Sequence, residues 1–172
     1  MDSQWVEYFA QLLSNLANEH EVYLAGYNSM RFDNRILNKL YPAGEFEGWP
    51  QIDMSVYGPR MHPEWPDHKL GTTFLKMYPQ PEAAEYVKNA HDALADVNMV
   101  AYMIMWAMQK YSMSMEELSN WLMFPTPLVI VPMGKHKGKR WDNVPVSYLN
   151  WMRSKWDDMS DDYDATLRSL GV

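Results

Sequence analysis

Residues 21–26, Glu-Val-Tyr-Leu-Ala-Gly, restrict the fold more than any other stretch of the chain. The run is short, β-rich and closed by glycine, so it reads as a strand. Helical patterns stand on both sides of it. Residues 4–19 space Trp5, Phe9, Leu12, Leu13 and Leu16 as one amphipathic stripe. Residues 31–40 place Phe32, Ile36, Leu37 and Leu40 on another, stopped by Tyr41-Pro42-Ala43-Gly44. A strand set between helices is the pattern of an α/β fold.

Further along, residues 42–66 hold five prolines and three glycines, a loop-rich passage with a brief element around Ile52 to Val56. Residues 68–77 read as a short helix ended by Pro79 and Pro81, and 82–88 as a partly helical linker. Residues 92–110 give the strongest helical pattern, with Leu94, Val97, Ala101, Ile104 and Met108 on one stripe and Asp92 as N-cap. Residues 114–123 open with Ser114 and carry Glu117 three positions later, a capping-box pattern. Pro125-Thr126-Pro127 then marks a boundary. Beyond it, Leu128 to Val131 reads as a strand, Gly134 and Gly138 bracket a basic turn, and helices are expected at 147–156 and 163–170.

Composition narrows the function classes. Hydrophobic residues are 47% and charged residues 22% of 172, a globular balance. There is no Cys, which removes disulfides and thiolate metal sites and fits a reducing compartment. Neither a membrane-length apolar run nor a signal-like opening is present, so the reading is cytoplasmic with no membrane association. The net charge is −7, yet residues 130–156 carry six basic side chains against Asp142 alone, a local +5 that leaves −12 for the rest. A basic site on an acidic protein suits nucleic-acid contact at one place rather than a general coat.

Two stretches carry chemistry. The first is Gly26-Tyr27-Asn28-Ser29-Met30-Arg31-Phe32-Asp33, at the strand–turn–helix junction. The second is Asn89-Ala90-His91-Asp92-Ala93-Leu94-Ala95-Asp96, opening the 92–110 helix. Phosphodiester hydrolysis needs an activated water and neutralisation of phosphate charge, which two Mg²⁺ ions about 4 Å apart supply. Hard cations take carboxylate oxygens, and a nearby histidine can accept the proton of the water. Each residue alone is also an ordinary surface, helix-start or capping residue; the ordered combination is what points to a site.

That combination resembles motifs II and III of the DEDDh 3′→5′ exonucleases, in wording similar to the exodeoxyribonuclease I group. The resemblance covers roughly residues 4–110. It implies an RNase H-like fold and two-metal hydrolysis with Mg²⁺ or Mn²⁺. Asp33 and Asp96 would be metal ligands, His91 the general base, and Asn28, Arg31 and Phe32 the residues that position the DNA end. Asp53, in Gln51-Ile52-Asp53-Met54, and Asp92 would be supporting residues. Single-stranded DNA is the substrate expected by this analogy.

The segment Gly134-Lys135-His136-Lys137-Gly138-Lys139-Arg140, followed by Tyr148-Leu149-Asn150-Trp151, resembles the small tail module of the exodeoxyribonuclease X group, with Met133 where that pattern has Phe. Two glycines allow a tight turn whose lysines can meet phosphates. Lys135, Lys137, Lys139 and Arg140 are the expected DNA contacts, with Trp151 able to stack on a base. A packed aromatic helix beside a solvated basic turn is the alternative reading.

Motif I, an Asp-x-Glu on a first strand, is not found in these residues. The fold expected is therefore an incomplete RNase H-like α/β domain at 1–124 lacking its first strands, with a small α+β module at 125–172. Three functions fit: one part of a split exonuclease, a non-catalytic DNA- or protein-binding relative, or a truncated inactive fragment. In the first, a protein partner docks, or the chain self-associates, along the 22–26 strand edge.

Overall fold

A computed structural model describes residues 3–41, 48–88, 92–155 and 161–172. Helix α1 spans Ser3–Glu19, strand β1 Leu24–Gly26, α2 Asp33–Leu40 and strand β2 Gln51–Asp53. A 3₁₀ turn at Met54–Val56 leads into α3 (Tyr57–Met61), α4 (Leu70–Met77), α5 (Ala83–Lys88), α6 (Ala93–Tyr111) and α7 (Met115–Met123). After a second 3₁₀ turn at Trp141–Asn143 come α8 (Val146–Lys155) and α9 (Asp161–Ser169). No described helix is long and apolar enough to cross a membrane.

The class is mixed α/β and mainly helical, with one small sheet. β1 and β2 run parallel, in the register Leu24↔Gln51, Ala25↔Ile52 and Gly26↔Asp53. The expected 21–26 strand is thus three residues long, and it has a neighbour on one edge. The element expected at 52–56 divides into β2 and the 3₁₀ turn. Helix α2 starts two residues later than its periodicity suggests, because Asn28 adopts a left-handed backbone (φ 62°) and residues 28–32 form a turn.

The main core gathers Ile52, Met54, Tyr57, Phe74, Met77, Met99, Met103 and Leu118. Tyr57 is its hub. Its ring meets Trp106 edge-on at 6.2 Å and Trp121 at 6.2 Å, and its hydroxyl lies 2.8 Å from that of Tyr111. Burial pushes the Tyr57 phenol well above its ordinary value. The capping box forms as read: Ser114 N–H donates to Glu117 Oε2 at 2.8 Å, and Glu117 N–H to Ser114 Oγ at 3.2 Å.

One expectation about α6 is overturned. Its buried side is Ala95, Met99, Val100, Met103, Ile104 and Ala107. Of the stripe read from sequence, Ile104 is buried and Met108 half-buried, but Leu94 and Val97 are 67% and 63% exposed and Ala101 is exposed too. The reason is that α6 has no charged residue between Asp96 and Lys110, so apolar side chains occur all round it. The face is then chosen by α4 and α5 packing against the other side. Helix α1 likewise leaves Phe9, Leu12 and Leu16 about 40% exposed; the Trp5 side chain lies outside the described residues.

A second cluster gathers Leu128, Val131, Trp141, Val144, Leu149, Met152 and Leu167. Here the strand expected at 128–131 does not form. Instead a single antiparallel bridge joins Ile130 to Arg140, with Val131 N–H on Lys139 O and Gly138 N–H on Val131 O closing the turn. Gly134 and Gly138 both take positive φ, 78° and 81°, as the tight turn requires. The two clusters are joined by Arg60, whose Nε and Nη2 donate to Asp162 at 2.7 and 2.6 Å while Nη2 also reaches Phe124 O.

Candidate functional site

The junction between β1 and α2 is built around Asp53. This carboxylate, at the end of β2 and 3% exposed, accepts the Asn28 N–H at 2.7 Å and the Met30 N–H at 3.2 Å. It also accepts the Ser55 N–H at 3.0 Å and the Ser55 hydroxyl at 2.7 Å. Its oxygens are therefore committed to fixing backbone. Charge-assisted acceptance of several N–H groups is a strong way to hold an irregular turn.

Other contacts hold the same turn. The Tyr27 hydroxyl reaches His68 O at 2.5 Å and Thr73 Oγ1 at 2.9 Å, tying the turn to α4 and the loop before it. Burial pushes the Tyr27 phenol up to about 12, so it stays a hydrogen-bonding hydroxyl. Asn34 N–H donates to Ser29 O at 2.9 Å, and Asn34 Nδ2 to Gln51 Oε1 at 3.1 Å. Gly26 is required by close approach: a Cβ there would sit 2.5 Å from Ser29 Cβ.

These contacts bring Asn28 and Asp53 together and fix the direction in which the chain enters α2. Phe32 is 65% exposed and Asp33, the first residue of α2, is exposed beside it. Arg31 is half-buried and already engaged within the protein. Asp96 lies half-buried in the first turn of α6, and α6 packs on β1. Asp92 caps α6 by accepting the Leu94 N–H at 3.1 Å. His91 lies outside the described residues. Among the described residues no three His, Cys, Asp or Glu side chains group as a metal site. Asp53 is committed to backbone N–H groups, and Asp33 and Asp96 do not group with a third such side chain among the described residues.

The basic turn divides. Lys135 and Lys139 are exposed. Lys137 is exposed too, and its ammonium docks on the carbonyls of Trp65, at 3.0 Å, and Pro66. Arg140 is held by Asp142 at 2.8 Å. Trp151 is 46% exposed and leans on Tyr148 with ring centroids 5.3 Å apart. Sequence reasoning missed Tyr27, Ser29 and Ser55 as the supports of the turn. A signal was present in Asp53-Met54-Ser55, since an Asp followed two residues later by Ser suits a side-chain-capped turn.

Comparison with known protein families, curated proteins and solved structures finds no match to this chain.

Proposed function

We propose that this chain supplies the motif II and motif III portion of a 3′→5′ exonuclease acting on single-stranded DNA, with the remaining acidic pair contributed by another polypeptide segment. The observation that carries this reading is the Asp53-anchored turn. A buried carboxylate is spent on fixing residues 28–30, so that Phe32 and Asp33 stand exposed beyond the carboxyl end of a parallel strand. In open α/β sheets that end is where ligands bind. Helix α6, which carries Asp96 in its first turn, packs against the same strand. In this reading Asp33 and Asp96 are donors to Mg²⁺ or Mn²⁺, His91 takes the proton of the water, and Phe32 supports the terminal base. The two donors need the missing acidic pair before a pair of ions is held.

A second reading is favoured by the exposed Leu94, Val97 and Met105 on α6. Exposed apolar area of this kind marks protein–protein contact, and a non-catalytic binding relative would use it.

One experiment separates the two. The chain is mixed with a polypeptide bearing an Asp-x-Glu strand, and Mg²⁺-dependent release of nucleotides from a 3′-labelled single strand is measured with and without Asp96→Ala. The nuclease reading expects activity in the mixture alone, abolished by the substitution. Binding of the two polypeptides that survives Asp96→Ala, with no nucleotide release even from the unsubstituted mixture, supports the binding relative and overturns the nuclease.

A further inference from the structure

The basic turn meets the main core at a place where two histidines are enclosed without partners. Lys137 Nζ donates to Trp65 O and Pro66 O, and His68 stands two residues after Pro66. Both ring nitrogens of His68 are buried with no hydrogen-bond partner. The ring lies on the backbone of α3, since a Cβ on Gly58 would be 2.7 Å from His68 Nδ1. On the other side of the contact His136, itself in the turn, is 8% exposed and its Nδ1 is also buried without a partner. Its ring packs edge-on against Tyr148 of α8 at 4.5 Å.

A neutral imidazole tolerates such enclosure at modest cost, whereas an imidazolium needs an acceptor for each N–H. The surrounding charges set the balance. Lys137 faces His68 from the turn and His62 from its own loop, while Asp67 and Glu64 on that loop favour the charged form. His136 sits between Lys135 and Lys139. Burial is the largest influence on both rings, and both are pushed below the ordinary histidine value of 6.5.

We propose that the basic turn is held on the core by a pH-dependent latch, in which Lys137 stays docked while His68 and His136 are neutral and is released when they take up protons. The protonated His68 ring must leave its pocket to find water, and the loop carrying the Trp65 and Pro66 carbonyls moves with it. Protonated His136 adds a fourth positive charge to a turn that already holds Lys135, Lys137 and Lys139. Linkage gives the sign. The released state binds more protons, so the docked state is fully favoured above the ordinary histidine value and weakens as pH falls below it. Release frees Lys137 to join Lys135 and Lys139 in facing an anion.

Hydrogen exchange on the full chain, corrected for the intrinsic pH dependence of exchange, tests this. Peptides covering 62–69 and 131–139 should lose about tenfold in protection between about pH 7.5 and about pH 5.5, with the α6 core unchanged. Lys137→Met should remove that protection at both pH values. His68→Phe with His136→Phe keeps the rings and removes the protons, so the acid step should vanish. A flat wild-type response, or an acid step that persists in the double variant, overturns the latch. Should the double variant fail to fold, ring titration of wild-type His68 and His136 by NMR decides. The Gly138 amide must shift together with the rings, and a Gly138 transition confined to the carboxylate range near about pH 4 overturns the proposal.

Discussion

The carboxylate of Asp53 accepts the backbone N–H of Asn28 at 2.7 Å across 25 residues of sequence. That bond sets the left-handed conformation of Asn28 and hence the place where α2 begins. Replacing Asp53 by Ala strands the Asn28, Met30 and Ser55 N–H groups in a poorly solvated place, at a cost of about 3 kcal/mol. Urea denaturation should show the loss. Asp53→Asn keeps one acceptor and turns a donor toward the remaining N–H groups, so it should lie between wild type and Ala. An Asp53→Ala protein as stable as wild type would mean that the turn is held mainly by Tyr27 and Ser29.

Gly26 and Ser29 form a second local pair. A methyl on Gly26 would meet Ser29 Cβ at 2.5 Å and Oγ at 2.7 Å, closer than packing allows. Gly26→Ala should therefore destabilise by about 2 kcal/mol through overpacking. Ser29→Gly removes both offending atoms, so adding it to Gly26→Ala should recover part of that loss despite the extra backbone freedom. A double-mutant cycle measures the coupling. Additive losses would show that the methyl meets some other obstacle.

Arg60 and Asp162 bind the two hydrophobic clusters together through an ion pair whose side chains are 5% and 9% exposed. Asp162 Oδ1 also accepts the Thr126 N–H at 2.9 Å, and Arg60 donates to Trp121 O and Phe124 O. Removing one partner leaves a buried charge alone, so Asp162→Ala should cost about 3–5 kcal/mol. The paired Arg60→Met, Asp162→Leu variant should lose much less. Thermal unfolding followed by calorimetry distinguishes these outcomes. Equal losses in single and paired variants would mean the carbonyl contacts of Arg60 dominate.

Much of the fold is legible in local sequence because its signals are local. Ser114 and Glu117 announce α7 by their spacing, Asp92 announces the start of α6, and the glycine after Ala25 closes β1. What escapes sequence reading depends on contacts between distant segments. Asp53 acts on a turn 25 residues earlier, and Lys137 reaches from its exposed turn to the carbonyls of Trp65 and Pro66. Leu128 to Val131 has strand-like side chains, but among the described residues a single bridge, to Arg140, stands where the pattern predicts a ladder. At the candidate site Asp33 and Asp96 stand on the elements expected for them. The role of Arg31 is less readable, because the residue is half-buried and already engaged within the protein.

The orientation of α6 yields the sharpest discrimination between sequence pattern and structure. Periodicity puts Val97 in the core, yet Val97 is 63% exposed and Val100, three residues on, is 7% exposed. A charge at an exposed helix position changes stability by about 0.5 kcal/mol or less. The same charge buried without a partner is strongly destabilising, by several kcal/mol. Val97→Lys should therefore leave the urea midpoint almost unchanged, while Val100→Lys should unfold the protein or nearly so. Because Leu94, Val97 and Met105 together make an apolar ridge, Val97→Lys should also weaken any concentration-dependent association seen by sedimentation. If Val97→Lys proves as damaging as Val100→Lys, the ridge is a covered surface in the folded protein, and α6 is turned toward the face that its periodicity suggests.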